Sequence, residues 1–362
     1  MKVVQLVMAR QYRGAELFAL QLSKELMKGG HTVRFISLYK TDGKELNTEG
    51  VESLDMAASR EGIFNLSLFR KLKKTLCEIN PDVVQANAGD TLKYAVLAKI
   101  LSSHHYKIVF RNASTVSLYI KSPFQKIFYS FIYKFVDRVI SVSEFSRRDF
   151  IATFPSIEKK IQTIPIALNA APFSATHIFN KEDFNILHVG GFTFEKNHEG
   201  LLRIFGLIKH QAANAKLWLI GDGPLRHEIM TEVKKMNLEG VTFIGTVSNP
   251  LDYISSADVL VLPSIIEGLP GVILEAMYCH TPVVAYDVGG ISEVVKNGET
   301  GWLLKVGDET GFADAVLNVK GSRDIDRIKS NGVKLIVKEF DIRIISQRFL
   351  EVYEQVCRFG VM

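Results

Sequence analysis

Strand-like and helix-like stretches alternate along this chain from its first residues, and this alternation constrains the fold more than any other feature. A mostly apolar, strand-like run at 3–9 precedes an amphipathic stretch from Ala15 to Met27, and a second strand-like run follows at 31–39. The same pattern restarts at 185–191 after an irregular stretch. Such alternation predicts parallel sheets covered by helices. The restart predicts an α/β protein with two Rossmann-like domains, each with its own parallel sheet.

Chain length agrees with this division. With 362 residues the chain is too long for one ordinary core and suits two domains of about 150–180 residues each. The sequence predicts a first domain over 1–168 and a second over 184–340. Between them, Leu168 to Asp183 loses the apolar periodicity and contains Pro172, so this stretch is the best candidate for a linker.

Composition limits the class of protein. Apolar residues make up 47% and charged residues 23% of the chain, which predicts a globular, soluble protein. The three cysteines, Cys77, Cys279 and Cys357, show no metal-site or disulfide spacing and favour a reducing, cytoplasmic compartment. No apolar run approaches the ~20 residues that span a bilayer. The net charge of +5 forms no basic, aromatic stripe, so we expect no nucleic-acid partner.

The most informative stretch runs from Ser264 to Gly290. It follows the apolar run Ala257 to Leu262, which predicts a buried parallel strand, so the turn Gly-Leu-Pro-Gly lies at a strand's carboxyl end. Open α/β sheets bind their ligands there. Pro270 suits the first position of a helix, whose free N–H groups and positive dipole end favour a phosphate or diphosphate. Glu267 and Glu275 flank this turn, and each carboxylate can accept hydrogen bonds from sugar hydroxyls.

The string EGLPGVILEAM, followed by TPVVAYDVGGISEVV, resembles the Glu-x7-Glu signature of the family 4 retaining glycosyltransferases. The resemblance implies the GT-B fold, with two Rossmann-like domains whose parallel sheets face each other across a cleft. It also implies that Glu267 contacts the donor sugar and that Glu275 binds the nucleotide ribose. The diphosphate is then held by the turn formed by Leu269, Pro270, Gly271 and Val272. By the same resemblance, we expect the C-terminal helix within 341–362 to cross back to the first domain.

Other positions match the family pattern only in part. Lys196 matches the basic residue that neutralises the diphosphate, whereas Gly191 stands where the family usually has Arg. Family turns after the next two strands surround the base, which assigns Leu225, Thr246 and Val247 to that part of the donor site. In the first domain, the family's glycine loop corresponds to Gly14, with Arg13 in place of its second glycine. Asn112 stands where many members have His; Asn can bind a hydroxyl but carries no proton near neutral pH.

These residues predict an enzyme that transfers a sugar, with retention of configuration, from a nucleotide-diphosphate donor to a hydroxyl of a glycan or lipid-linked acceptor. Glu267 and Lys196 are the expected catalytic residues, a UDP-sugar is the favoured donor, and no metal is required. Surface polysaccharide synthesis is the expected process, with the acceptor in the first domain. A catalytically inactive sugar-nucleotide-binding protein or subunit is the alternative, because Gly191 and Asn112 depart from the family pattern.

One stretch of the first domain suggests a membrane partner. Phe124 to Phe135 places aromatic residues around lysines at helical spacing, and a basic run spans Arg70 to Lys74. A buried helix explains the aromatic stretch about as well as an interfacial one. The sequence therefore leaves open a cytoplasmic protein with peripheral contact to the inner face of the membrane.

Overall fold

The computed structural model describes residues 1–41, 45–58, 64–102, 105–168, 173 and 178–358. The chain divides into two compact units. Unit 1 comprises Met1–Asn169 and Ile342–Met362, and unit 2 comprises Ala170–Asp341. Half of the predicted linker, at 169–172 and 174–177, lies outside the described residues, as do the last four residues of the predicted C-terminal segment.

Unit 1 is built on a parallel sheet. Its strands are β1 (Lys2–Val7), β2 (Thr32–Tyr39), β3 (Ser53–Ala58), β4 (Val83–Ala86), β5 (Lys107–Asn112), β6 (Arg138–Ser141) and β7 (Ile161–Thr163). They lie in the order β3-β2-β1-β4-β5-β6-β7, so the chain reverses its direction of growth between β1 and β4. Residues 3–7 of β1 are all buried, Gln5 among them, which explains why the other four are apolar.

Helices cover both faces of this sheet and enclose an apolar core on each side. They are α1 (Gly14–Lys28), α2 (Leu66–Ile79), α3 (Gly89–Ile100), α4 (Pro123–Lys134), α5 (Glu144–Thr153) and the C-terminal helix, α13 (Ile342–Arg358). The helix α13 packs against α1 through Phe349 and Phe18, whose ring centroids lie 5.3 Å apart. Within the described residues, no helix is both long enough and apolar enough to cross a bilayer.

Unit 2 repeats the design with a second parallel sheet. Its strands are β8 (Phe184–Val189), β9 (Ala215–Ile220), β10 (Val241–Gly245), β11 (Val259–Leu262), β12 (Val283–Tyr286) and β13 (Trp302–Leu304). The order is β10-β9-β8-β11-β12-β13, with the reversal between β8 and β11. The covering helices are α6 (His198–Gln211), α7 (Arg226–Lys235), α8 (Pro250–Ser256), α9 (Gly271–Tyr278), α10 (Ile291–Val294), α11 (Glu309–Asn318) and α12 (Ile325–Glu339).

A ring of buried polar side chains joins α13 to the sheet of unit 1. Tyr353 donates its hydroxyl to Gln85 Oε1 at 2.5 Å, and Gln5 Nε2 donates to the same hydroxyl at 3.2 Å. Gln85 Nε2 donates to Asn87 Oδ1 at 3.0 Å, and Asn87 Nδ2 donates to Gln5 Oε1 at 3.0 Å. Each side chain is thus bonded to two others. Because buried polar groups are costly unless they are paired, this closed ring fixes α13 to β1 and β4.

Candidate active site

The predicted site residues of unit 2 lie at the carboxyl end of its sheet, in segments that follow four neighbouring strands. These residues are Gly191, Lys196, Leu225, Thr246, Val247, Glu267, Leu269, Pro270, Gly271, Val272 and Glu275. The segments after β8 and β11 flank the point where the strand order reverses. In open α/β sheets this reversal point opens the crevice in which ligands bind.

Lys196 and Glu267 form an ion pair across that reversal point. Lys196 ends a short turn after β8, and Glu267 lies in the loop after β11; Nζ and Oε1 are 2.6 Å apart. The two side chains are 19% and 11% exposed, so water screens the pair only in part. An ammonium has three donors, so Lys196 can keep Glu267 and still bind a phosphate oxygen.

The two loops are also joined through their backbones. Ile265 N donates to Glu195 O at 2.9 Å, and Asn197 Nδ2 donates to Pro263 O at 3.0 Å. Asn197 has a φ of +54°, a left-handed conformation that Asn tolerates better than most residues. The sequence analysis assigned no role to Asn197. Its position directly after Lys196 and before a helix is the signal that could have identified it as a cap.

Gly289 and Gly290 shape the loop that carries Glu267. Gly289 has a φ of +60°, and a Cβ added there would lie 2.0 Å from the carbonyl oxygen of Glu267. The next residue, Gly290, donates its N–H to Gly268 O at 2.6 Å. Any side chain at position 289 would therefore displace Glu267. The glycines belong to the string that carries the family resemblance, but their contact with Glu267 becomes visible only in the structure.

The helix α9 begins without a side-chain cap. Pro270 is its N-cap residue, with extended backbone, and makes no side-chain capping hydrogen bond. The first N–H groups of a helix have no partner within it, so those of Gly271 and Val272 remain available to a ligand. Their dipole favours an anion at this end. Glu275 lies one turn further along the helix, partly buried. Burial raises the pKa of its carboxyl from the ordinary 4.5 to about 7.

The stem of Lys196 lies over Gly190, and Gly191 has space for a side chain. A Cβ at Gly190 would be 3.3 Å from Lys196 Cδ and Cε, which is a tight contact. A Cβ at Gly191 would meet its nearest atom, Asp222 O, at an ordinary 3.5 Å. The φ of Gly191 does not lie in the left-handed region. The absence of the family's Arg is therefore not imposed by the local backbone.

Glycines also bring together the segments that carry the predicted base-binding residues. Leu225 N donates to Phe192 O at 3.0 Å, and Gly221 N donates to Gly245 O at 3.0 Å, directly before Thr246. A Cβ at Gly223 would lie 2.6 Å from Phe192 O. The glycines of the Gly221-Asp-Gly223 turn thus permit close backbone packing between the segments after β8 and β9.

A buried histidine pair, which the sequence analysis did not identify, lies beneath this region. His188 Nδ1 bonds to Val261 O at 2.9 Å and so links β8 to β11. The ring of His198 stacks on Phe192 with centroids 4.1 Å apart and meets the edge of His188 at 4.8 Å. Burial lowers the pKa of His198 to about 4 and that of His188 well below its ordinary value. Both rings are therefore neutral near pH 7 and add no charge beside Lys196.

The remaining predicted residues belong to unit 1. Arg13 and Gly14 are exposed at the start of α1, and a Cβ added to Gly14 would meet no atom within 4 Å. Asn112 ends β5, is 3% exposed and donates its amide to Ser141 Oγ at 3.3 Å. All three lie at or beyond the carboxyl ends of β1 and β5, the edge at which parallel sheets bind ligands.

Comparisons with known proteins agree with this architecture. Residues 12–172 match the family model "Glycosyltransferase Family 4", and residues 183–320 match "Glycosyl transferases group 1". An N-acetyl-alpha-D-glucosaminyl L-malate synthase of Bacillus anthracis is 31% identical over 48% of this chain, and the match spans about half, 46%, of that protein. A Campylobacter jejuni alpha-1,4-N-acetyl-D-galactosaminyltransferase, which by its name acts on a diphospho-undecaprenol-linked saccharide, is 27% identical over 98% of this chain and 99% of its own length.

Solved structures show the same fold along the chain. The Anabaena protein HepE, in complex with UDP and glucose, superposes with a TM-score of 0.84 over 98% of this chain and 100% of its own, at 19% identity. Sucrose-phosphate synthase of Thermosynechococcus elongatus gives 0.82 over 98% of both chains, also at 19% identity. Two parallel-sheet units, two glycosyltransferase family models and these neighbours agree. The chain belongs to the family-4-like glycosyltransferases with the GT-B fold.

Proposed function

We propose that this protein is a retaining hexosyltransferase that moves a sugar from a UDP-sugar to a hydroxyl of a glycan or lipid-linked acceptor in surface polysaccharide synthesis. The observation that carries the proposal is the Lys196–Glu267 ion pair at the strand reversal of unit 2. The Campylobacter relative, named for a lipid-linked acceptor, supports the acceptor class. HepE, which has the same fold, is bound to UDP in its crystal structure and supports the choice of nucleotide.

In this proposal, unit 2 holds the donor and supplies electrostatic catalysis. Negative charge grows on the phosphate oxygens as the glycosidic bond breaks. The Lys196 ammonium and the N–H groups at the start of α9 stabilise that charge where it develops. These groups are already oriented, because Lys196 is paired with Glu267 and its stem packs against Gly190. In this proposal, the Lys196 ammonium and the backbone N–H groups at the start of α9 therefore stabilise the developing charge.

The two glutamates have different roles in this mechanism. Glu267 lies beside the donor sugar, where its carboxylate becomes more valuable as positive charge builds at the anomeric carbon. Glu275 accepts hydrogen bonds from the ribose, which does not react. Interactions that strengthen in the transition state raise kcat, whereas uniform binding changes KM. The roles therefore predict separable kinetic effects.

The test is steady-state transfer kinetics of Glu267→Gln and Glu275→Gln, with UDP binding measured by calorimetry for each folded variant. Glu267→Gln is expected to lower kcat by about 10²-fold or more while retaining UDP affinity. Glu275→Gln is expected to raise the donor KM and to weaken UDP binding in parallel. Wild-type transfer by Glu267→Gln would contradict the proposal and favour a sugar-nucleotide-binding subunit.

We further propose that unit 1 contacts an anionic membrane surface through α4. Four apolar side chains project from this helix: Phe124, Ile127, Phe128 and Phe131 are 84%, 67%, 44% and 48% exposed. Exposed apolar patches bordered by polar residues mark interaction sites. Lys121, Lys126 and Lys134, on α4 or just before it, are also exposed, and a basic amphipathic helix suits an anionic lipid surface.

The basic run of α2 belongs to the same side of unit 1. Both α2 and α4 pack against α3, and Arg70, Lys71 and Lys74 are exposed. Each basic residue near such a surface adds about 1 kcal/mol, screened by salt. We expect the protein to float with phosphatidylglycerol-containing liposomes at low salt and less at high salt. Phe124→Ser with Phe128→Ser should abolish flotation, and absence of lipid association in the wild type would contradict this membrane role.

A further inference from the structure

In the described part of unit 1, two buried side chains are of charged types, and the donor mechanism uses neither. Arg111, near the end of β5, is 2% exposed, and Glu16, in the first turn of α1, is 4% exposed. The guanidinium of Arg111 lies 4.3 Å from the centroid of the Phe18 ring. Arginine and glutamate are almost never this buried unless they are paired or bound to a ligand. Their partners are therefore informative.

Arg111 lacks the hydrogen bonds that its burial demands. Its Nε and Nη1 are fully buried and have no hydrogen-bond acceptor among the described residues. The neighbouring amides do not supply one, because Gln5, Gln85 and Asn87 bond to one another and to Tyr353 in the closed ring. Burial lowers the pKa of Arg111 to about 10, so the guanidinium still carries its charge at neutral pH. A buried charge without a partner is costly, and functional sites are where proteins keep such groups.

Glu16 has few hydrogen-bond partners for a buried carboxylate. Its Oε1 accepts a long hydrogen bond, 3.3 Å, from Gln11 Nε2, and the carboxyl also accepts one from its own backbone N–H. Burial raises the pKa of the carboxyl, and the charges of Arg13 and Arg111 oppose that rise. Glu16 and Arg111 are thus close enough to interact electrostatically, yet they form no ion pair within the described part of unit 1. A group that both accepts and donates hydrogen bonds would satisfy the two together.

We propose that Arg111 and Glu16 form a subsite for one hydroxyl of the acceptor sugar. The hydroxyl donates its hydrogen to the Glu16 carboxylate, and its oxygen accepts a hydrogen bond from the Arg111 guanidinium. An anionic group fits less well, because it would meet the Glu16 carboxylate. The exposed turn at Arg13–Gly14 lies two residues before Glu16, beyond the carboxyl end of β1, which is the edge where parallel sheets bind ligands. This assignment rests on the proposed transfer function and adds the acceptor residues to it.

The first measurement is the thermal stability of full-length Arg111→Met. If Arg111 serves a ligand and its Nε and Nη1 have no hydrogen-bonded protein partner, removing its buried charge should not lower the melting temperature and should raise it by about 2–4 °C. If Arg111 instead stabilised the fold, Arg111→Met would lower the melting temperature. Tyr353→Phe is the matched control, because it removes one member of the adjacent closed ring and should lower the melting temperature. A fall for Arg111→Met comparable to that of Tyr353→Phe would overturn the proposal.

The second measurement is saturation-transfer NMR with UDP present. The probes are the methyl α-glycosides of glucose, galactose, N-acetylglucosamine and N-acetylgalactosamine, with glucose 1-phosphate as the anionic probe. Arg111→Met and Glu16→Gln should each weaken glycoside binding about tenfold or more, whereas Tyr353→Phe should not. Either of two results would overturn the hydroxyl subsite. In the first, Arg111→Met loses binding of glucose 1-phosphate but keeps binding of the glycosides. In the second, the wild type binds none of the glycosides. Calorimetry measures UDP binding by the wild type separately. If the wild type does not bind UDP, the donor proposal is contradicted, and the acceptor subsite is judged from the glycoside data alone.

Discussion

The two units place different chemistry at the reversal points of their sheets. In unit 1, between β1 and β4, neutral side chains close on themselves in the ring of Gln5, Gln85, Asn87 and Tyr353. In unit 2, between β8 and β11, the loops carry the Lys196–Glu267 ion pair and lead to a helix with uncapped N–H groups. In unit 1 the C-terminal helix is hydrogen-bonded into the ring through Tyr353, whereas the reversal point of unit 2 carries a charge pair beside a helix start without a side-chain cap.

This difference shows that one topology can serve two purposes. A fully satisfied neutral ring stabilises a unit and has little left to offer a ligand. A partly buried charge pair beside free amides stabilises the unit less, but it can stabilise charge that develops on a substrate. The electrostatic part of the proposed reaction therefore belongs to unit 2.

Replacing Lys196 should break the charged site while leaving the neutral ring intact. Lys196→Met removes the cation near the proposed diphosphate and leaves the partly buried Glu267 without this partner. We expect kcat/KM to fall by about 10²–10³-fold and UDP to bind at least about tenfold more weakly. Transfer kinetics and calorimetry are the measurements.

Arg203→Met is the matched cation control for Lys196→Met. Arg203 is a cation of the same unit that pairs with Glu309 at the surface, with its side chain 51% exposed. Exposed ion pairs contribute about 0–1 kcal/mol, so this variant should retain its activity. Equal losses for Arg203→Met and Lys196→Met would show that the effect is one of folding or net charge, and would contradict the assigned role of Lys196.

The Glu275 carboxyl should give UDP binding a pH dependence. Burial raises its pKa to about 7 in the free protein, and hydroxyl donors from the ribose favour the ionised form. UDP affinity should therefore rise with pH up to about 7 and then level off. Glu275→Gln should flatten this profile and weaken binding about tenfold at pH 8. Calorimetry between pH 5.5 and 8.5 in buffers of constant ionic strength tests this directly.

The Glu275 carboxyl should also make the stability of the fold depend on pH. Its contribution to stability falls as the pH rises, whereas UDP affinity rises. Because its pKa is raised from 4.5 to about 7 in the folded state, the folded protein retains a proton that the unfolded chain has released. This contribution is full below pH 4.5 and is lost as the pH rises through about 7. Without UDP, Glu275→Gln should melt at a higher temperature than the wild type at pH 8, but not at pH 4.5. If Glu275→Gln and the wild type melt at the same temperature at both pH values, the pKa of Glu275 is not raised in the folded protein.

The smallest expected effect concerns the position where the family's Arg is absent. Gly191→Arg fits the local backbone, since its Cβ would make only an ordinary contact with Asp222 O. At this partly exposed position a new charge-assisted hydrogen bond should contribute no more than about 1.5 kcal/mol, so UDP should bind at most about tenfold more tightly. Gly191→Met supplies the control for side-chain bulk. Unchanged UDP affinity in a folded Gly191→Arg variant would show that another cation already occupies the place.

Local patterns in the sequence were sufficient to predict the layout of unit 2. The apolar run before Glu267 predicted a strand, which is β11, and Pro270 predicted the start of a helix, which begins at Gly271. Both predictions follow from local rules, since buried strands read as apolar runs and proline suits the first turn of a helix. The match to glycosyltransferase family models and the GT-B fold of solved relatives agree with the family that the same string suggested.

Contacts between distant residues could not be predicted in this way. Nothing near Gly289 in sequence indicates that its hydrogen atom faces the carbonyl of Glu267, and nothing near Tyr353 indicates that its hydroxyl reaches Gln85. The same holds for the stacking of His198 on Phe192 and for the unsatisfied Arg111. Each depends on how strands and helices pack after they form.

The sequence by itself determined the α/β alternation, the two sheets and the position of the Glu267–Glu275 stretch at a strand's carboxyl end, because these depend on hydrophobic period and turn chemistry within short windows. Only the tertiary structure decided that Lys196 pairs with Glu267 and that burial raises the pKa of Glu275. It also decided that unit 1 closes its reversal point with neutral amides. The physical reason is that desolvation and hydrogen-bond pairing depend on which side chains become neighbours in space.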